Sequence, residues 1–360
     1  MFRKFIIRLL KIVLVVALVL VIALAGFLGY FTVTEYYPDG VEPINVPVSH
    51  TAALSPDKEI RLMTWNIGYA GLNKDADFFM DGGANVESAD KATVNATLNR
   101  MAESIEAERP TILLLQEVDT IAKRTHKINE KAFFDKALQI GSVFAHNFKT
   151  FVPYPIPDMI GKVESGLYTA SEYPLIGAER HQLPVPFKWP VRLFNLKRCL
   201  LVSRFALENS DRELVVVNLH LEAYDDTGGR EAQTAYLIEF MRDEYAKGNY
   251  VVAGGDWNQS FYRKDEMPFL SSSENWEPGY VRDAAIPDDW HLIAGDPAEM
   301  IPTCRLLDKP YQPDDPNTVH YIIDGYLCTP NIEILESKVL DRGFADSDHN
   351  PVLLTFRMKP

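Results

Sequence analysis

Several polar residues of this 360-residue chain stand at the ends of apolar runs, and their types suit chemistry on a phosphate. Asn66 closes LMTWN, Glu117 closes TILLLQE and His220 closes VVVNLH; Asp256 and Asn258 follow VVAGG, Asp324 ends YIID, and Asp348-His349 precedes PVLL. The carboxylates and amides are hard oxygen donors of the kind that hold Mg²⁺, with Mn²⁺ as an alternative. With no thiolate and only two histidines among them, the set does not fit structural zinc. The histidines can move protons, and the amides can orient an oxyanion. Any one acid after a strand is ordinarily a cap or a turn residue. The combination carries more, because a sheet gathers its strand ends on one rim where a ligand meets several of them.

The elements that must position these residues alternate between β and α patterns, as in a layered α/β domain. Strands are predicted at 60–66, 111–117, 142–148, 198–207, 213–219, 250–254, 319–327, 333–340 and 351–357. Val94, Leu98, Met101 and Ile105 recur at helical spacing and Pro110 stops the run; further helices are predicted at 129–139 and 230–245. Three long loops remain: 69–90, rich in Asp, Gly and Asn; 151–163, with FVPYPIPDM; and 181–196, with LPVPFKWPVRLF. The last two combine proline with aromatic residues, which suits a pocket wall or simple packing over a sheet edge. In the second of them, residues 183–194 are expected to help select or approach the substrate. Cys199 reads as a small buried hydrophobe, and a Cys304–Cys328 bridge is the lesser alternative for a domain outside the cell.

Residues 12–31, IVLVVALVLVIALAGFLGYF, carry no charge and as a helix span roughly 30 Å, the thickness of a bilayer's hydrocarbon core. Arg3, Lys4, Arg8 and Lys11 precede them, and the first acidic residue, Glu35, follows. The positive-inside rule then leaves the N-terminus in the cytoplasm and the large domain outside. The organisation expected is a basic cytoplasmic segment at 1–11, an anchor at 12–34, a stalk at 35–58 and a catalytic domain at 59–360. The competing reading is a cleaved signal peptide with its site near Ala23-Leu24-Ala25. The chain as a whole carries 36 basic against 50 acidic residues, a formal charge of −14, which repels polyanions and disfavours nucleic acid as a partner.

Six short pieces, TWN (64–66), LLLQE (113–117), NLH (218–220), GDWN (255–258), IDGY (323–326) and SDHNPV (347–352), occur in one order across nearly the whole chain from 60 to 357. In this order they resemble the endonuclease/exonuclease/phosphatase superfamily of metal-dependent phosphoesterases. The resemblance implies a four-layer α/β/β/α sandwich of two mixed β-sheets, preceded here by one transmembrane helix, with the active site at the edge between the sheets. It implies Glu117, Asn66 and Asp348 at a Mg²⁺ ion, Asp256 and Asn258 at the attacking water and the phosphate, and His349 partnered by Asp324. It makes His220 a phosphate contact or an acid, and Arg230 and Gln233 structural. In GLYTASEYPL (166–175), Glu172 stands where the family commonly has a basic residue, which puts the substrate analogy in question; Trp257 replaces a common Phe. The substrate expected is a phosphorylated small molecule or a lipid headgroup, cleaved by a phosphodiesterase or phosphatase outside the cytoplasmic membrane. The alternatives are a nuclease and, last, a surface-binding protein without activity.

Overall fold

The computed structural model describes residues 2–46, 53–87, 89–224, 228–281 and 286–360. Helix α1 (Phe2–Val33) is continuous, has no buried residue and is long and apolar enough to cross a membrane. Most of its apolar side chains are exposed, and at its carboxyl end Phe27 and Phe31 meet Phe194 and Phe151.

The chain then builds two sheets. One runs, edge to edge, β1 (Val41–Ile44), β6 (Leu175–Gln182), β7 (Cys199–Ala206), β8 (Glu213–His220), β9 (Tyr250–Asp256), then the strands Asp324–Cys328 and His291–Ile293. The other runs Ile332–Val339, Val352–Met358, β2 (Ile60–Asn66), β3 (Ile112–Ala122), β5 (Gly161–Ser171) and β4 (Gly141–Val152). Both sheets are mixed, and each has one parallel pair joined by a helix: β2 and β3 through α2 (Lys91–Glu108), and β8 and β9 through α4 (Gly229–Ala246). Such a crossover returns the chain in the same direction, so the carboxyl ends of all four strands share a rim.

Side-chain alternation makes the layers. Leu62, Leu114, Val216 and Val252 point into the core between the sheets. Met63, Trp65, Leu113 and Leu115 point out under α2 and under α3 (Glu130–Leu138), while Val215, Val217 and Leu219 point out under α4. The result is the four-layer α/β/β/α sandwich. Central strands covered on both faces are apolar throughout, which is why TILLLQ and LVVV show no polar alternation. Two polar ties cross the inter-sheet core. Asn218 donates to the Leu115 and Tyr168 carbonyls (3.1 and 2.9 Å) and accepts from Gln116 (2.8 Å), and the Tyr326 hydroxyl donates to the Val352 and Leu62 carbonyls (2.7 and 3.0 Å).

Two expectations are corrected, and the favoured reading of the cysteines stands. The 35–58 segment is not a free stalk. The Glu35 side chain is 6% exposed and pairs with Arg192 (3.0 Å) and Lys197 (3.2 Å). Beyond it β1 joins the edge of β6, and Leu54 is buried in the inter-sheet core; residues 47–52 lie outside the described residues. A buried carboxylate with two cations and an edge strand with a partner both hold the segment against the domain. The strand predicted at 319–327 is two, His320–Tyr321 and Asp324–Cys328. Between them the Ile322 and Ile323 carbonyls accept from Phe261 and Trp257, so the chain leaves one partner before it joins the other. Cys304 and Cys328 are buried free thiols, as is Cys199.

Candidate active site

The rim holds every residue that the sequence singled out for chemistry. Asn66, His220 and Asp256 are the last residues of β2, β8 and β9. Asp324 and Asp348-His349 arrive from the opposite direction. Asp324 opens a strand antiparallel to β9 and faces Asp256 across it; His349 lies just before a strand antiparallel to β2, with Val352 opposite Thr64. Antiparallel pairing brings the start of one strand to the end of its neighbour, so both strand ends and strand starts supply side chains.

Local backbone departures aim two of them. At Glu117 the β3–β5 register shifts between Leu115 and Val118, and Glu117 takes φ 57°, so the bulge turns its carboxylate off the sheet face toward Asn66. At Gly255 φ is 152°, and a Cβ there would collide with the Leu219 carbonyl; only glycine lets β9 approach β8 this closely before Asp256.

Asp256 is the hub. Its Oδ2 accepts from Asn66 Nδ2 (2.9 Å) and lies 3.3 Å from His220 Nε2 and 3.8 Å from His349 Nε2, while its Oδ1 accepts from the Asn258 backbone N–H (2.9 Å). Asn258 itself uses one side-chain N–H on the Leu221 carbonyl (2.9 Å). Asn66 lies 3.4 Å from Glu117 and 3.5 Å from His349 Nε2. His349 Nδ1 lies 2.8 Å from Asp324 Oδ2, which fixes the ring and points Nε2 at Asp256 and at Asp348 (3.8 Å). Ser347 accepts from the His349 backbone N–H (3.2 Å) and donates to the Asn66 carbonyl (2.8 Å), tying the 347–349 turn to the end of β2.

Burial divides the titration of these groups. It pushes the Asp256 carboxyl up to about 6 and the Asp348 carboxyl up to about 7; the His349 charge offsets part of this, while Asp324 adds to the rise at Asp256 and Glu117 to that at Asp348. Burial also acts to lower the His349 pKa, but the Asp324 carboxylate outweighs it and holds the imidazole protonated well above its ordinary value. His220 is pushed well below its ordinary value, by burial first and by Arg198 second. One histidine is thus a cation and the other neutral at the same pH.

The excess of buried carboxylate is what a divalent cation would balance, and the donors are oxygens of the kind such an ion takes. Glu117 and Asn66 lie together, and Asp348 faces the same His349 Nε2 that Asn66 faces. Acidic and histidine or cysteine groups also converge as Asp256–Asp324–His349 and as Cys304–Asp348–His349. Glu117 falls in neither of these tighter clusters.

The site opens into a cavity of about 370 Å³, and all three long loops line it: Tyr69, Phe78, Met80 and Asp81 from the first, Tyr154 and Ile160 from the second, Phe187 and Phe194 from the third. Three arginines that the sequence reading did not single out face it as well, Arg124, Arg198 and Arg305. Arg124 grips Asp119 through two bonds (2.9 and 3.0 Å), stacks on Tyr69 (3.6 Å) and reaches to 4.0 Å from Glu117. Arg198 is buried 3.7 Å from Glu222, and its Nε and Nη1 make no hydrogen bond. They supply the positive side of the cavity, whose lining does not include Glu172. Arg198 immediately precedes the apolar run CLLV, mirroring the polar residues that follow other runs, and that was its only trace in the sequence. Arg230 and Gln233 are braces: Arg230 donates to the Asn258 and Glu277 carbonyls (3.3 and 3.2 Å), and Gln233 joins Glu222 N–H (2.9 Å) to the Pro184 carbonyl (2.9 Å).

Comparison with known proteins agrees with this fold. The model of the "Endonuclease/Exonuclease/phosphatase family" matches residues 63–296. No curated protein sequence matches the chain. Among solved structures, it is similar to an endonuclease/exonuclease/phosphatase from Beutenbergia cavernae, at 18% identity and TM-score 0.56 over 84% of this chain and 72% of that one. Truncated Caenorhabditis elegans TDP2 aligns at 16% identity and TM-score 0.52, over 83% of this chain and 98% of the other. The human Nocturnin catalytic domain, solved with a bound sulfate anion, aligns at 14% identity and TM-score 0.52, over 88% and 97%. At these identities the likeness is one of fold.

Proposed function

Because the chain belongs to the endonuclease/exonuclease/phosphatase family, whose members hydrolyse phosphoester bonds with divalent metal ions, we propose that it is a Mg²⁺-dependent phosphoesterase acting on a small-molecule or lipid phosphodiester outside the cytoplasmic membrane. The observation that carries this reading is the pairing of a buried Asp324–His349 couple with Asp256 beside a cavity lined by acidic, basic and apolar side chains.

In this reading Asp256 takes the proton of the attacking water, as a carboxylate poised near 6 can at neutral pH. Asn66 and His220 hold Asp256 in place through its Oδ2. The water oxygen bonds to phosphorus, the ester P–O bond opposite it breaks, and the departing oxygen takes a proton from solvent water, to which Asp256 then returns the one it accepted. The His349 imidazolium, oriented by Asp324, donates to a phosphoryl oxygen as negative charge gathers there. Asn258 has a second side-chain N–H for the same phosphate, and Arg198 offers its Nη1, its Nε being paired with Glu222. A divalent ion held by Glu117, Asn66 and Asp348 would supply a Lewis acid for the phosphoryl and leaving oxygens.

The test is hydrolysis of bis(p-nitrophenyl) phosphate, sphingomyelin, phosphatidyl lipids, inositol phosphates, DNA and RNA by the full chain, with Mg²⁺ and with EDTA. Metal-dependent release from a small or lipid phosphodiester is expected. Turnover confined to DNA or RNA would establish the nuclease alternative instead.

A further inference from the structure

Much of the cavity wall is apolar. The two proline-broken loops and the strand before the first of them give it Phe148, Tyr154, Ile160, Phe187, Val191 and Phe194. Phe194 also packs outward on α1, against Phe27 (ring centroids 5.9 Å apart) and Phe31 (5.1 Å). The apolar wall of the cavity and the carboxyl end of α1 are therefore two sides of one short loop. Beside it Phe151 stacks on Phe31 (6.1 Å), and Trp189 donates its indole N–H to the Thr32 hydroxyl (3.1 Å).

The same two loops leave apolar side chains outside: Ile156 is 82% exposed and Trp189 53%. Such residues at the foot of a membrane-length helix fit the headgroup boundary, where tryptophan is favoured, and are unfavourable in water. Arg198 also faces the cavity, buried, with its Nε 3.7 Å from the Glu222 carboxylate and its Nη1 making no hydrogen bond, so that Nη1 is left for an anion. An anion site joined to a wall of rings and aliphatic groups matches an amphiphile carrying a phosphate, and does not match a polyanion.

Resting on the phosphoesterase reading above, we infer that the apolar wall of the cavity is an acyl-chain site, loaded with a membrane phospholipid directly from the bilayer that holds α1. The lipid enters between loops 151–163 and 181–196, with its phosphate toward Arg198 and one chain against Phe187, Val191 and Phe194.

The experiment places the full chain, as wild type and as Glu117→Gln, in phosphatidylcholine–phosphatidylglycerol vesicles containing a phosphatidylcholine with a mid-chain diazirine. Photolabelled peptides are mapped, and hydrolysis of bis(p-nitrophenyl) phosphate is followed in parallel. Label is expected on 148–160 and 187–196 as well as on α1, in both proteins. Val191→Asp, at an exposed position that tolerates polarity, should cut the loop labelling at least tenfold and leave α1 labelling unchanged; Phe187→Asp provides a second test. Label confined to α1, or loop label indifferent to both substitutions, overturns the inference. If bis(p-nitrophenyl) phosphate is hydrolysed with Mg²⁺ and the loops are unlabelled, the acyl site falls and the phosphoesterase stands. If the loops are labelled and no phosphoester is cleaved, the catalytic reading falls and a lipid-binding site remains.

Discussion

Two histidines on one rim do opposite work because of what lies behind each. His349 has the Asp324 carboxylate at 2.8 Å; His220 has burial and the Arg198 charge. The Asp324 contact raises the folded pKa of His349, so its charged form is kept through neutral pH and lost only as pH rises through that raised value. Activity that depends on the imidazolium should therefore show its falling limb in alkali. Asp324→Asn removes the leading cause of the raised pKa and should move that limb toward lower pH, which a pH–rate profile at saturating Mg²⁺ will read. His349→Ala should lower kcat roughly a hundredfold to a thousandfold, the loss of about 2.7–4 kcal/mol of transition-state stabilisation. Glu117→Gln acts on the ion instead and should raise the Mg²⁺ concentration for half-activation, measured by metal titration. Circular dichroism should show both proteins folded, because these residues sit at a rim rather than in the core.

At the scale of elements, α4 is pinned to its sheet by one buried acid. Glu244 accepts from Arg204 on β7 through both oxygens (2.9 and 3.0 Å), from Asn249 (2.7 Å) and from Lys247 (2.8 Å). Burial acts to raise its pKa, but these donors outweigh it and bring it down to about 2 from an ordinary 4.5. A depressed carboxyl stabilises the fold above its unfolded pKa and loses that contribution as pH falls toward the folded one. Glu244→Gln should cost roughly 2–3 kcal/mol at pH 7, with the difference from wild type shrinking below pH 4.5 and vanishing near pH 2, by chemical denaturation. Much of this architecture was legible beforehand. Val94, Leu98, Met101 and Ile105 marked α2 by their spacing, and the unbroken apolar runs marked β3, β8 and β9 as strands buried on both faces. The 319–327 region was misread because YIID stays apolar across a change of partner; both halves are buried, so hydropathy does not register the break. β1, VEPI, is a four-residue edge strand with half its side chains exposed, and it has neither period nor run to detect. Arg124 and Arg198 escaped because their importance lies in distant partners, Asp119 and Tyr69 for one and the cavity for the other.

At the scale of the whole molecule, the question is which side of the membrane the sandwich occupies. Arg3, Lys4, Arg8 and Lys11 at one end of α1 and the acidic body at the other support the placement proposed above. Protease added to intact cells should degrade residues 35–360 and spare α1, as read by antibodies to each end. A body protected until the membrane is breached would reverse the orientation, and release of a species starting near Gly26 would favour the signal peptide.

The clasp of Glu35 by Arg192 and Lys197 also has a kinetic side. A flexible tether of two dozen residues would let a domain wander roughly 25–30 Å from its anchor and search a volume. A domain fastened at the very end of its helix, with that helix in the bilayer, searches an area. Its encounters with substrate would then be set by the mole fraction of that substrate in the membrane, so that diluting it with inert lipid slows turnover while diluting the whole suspension does not.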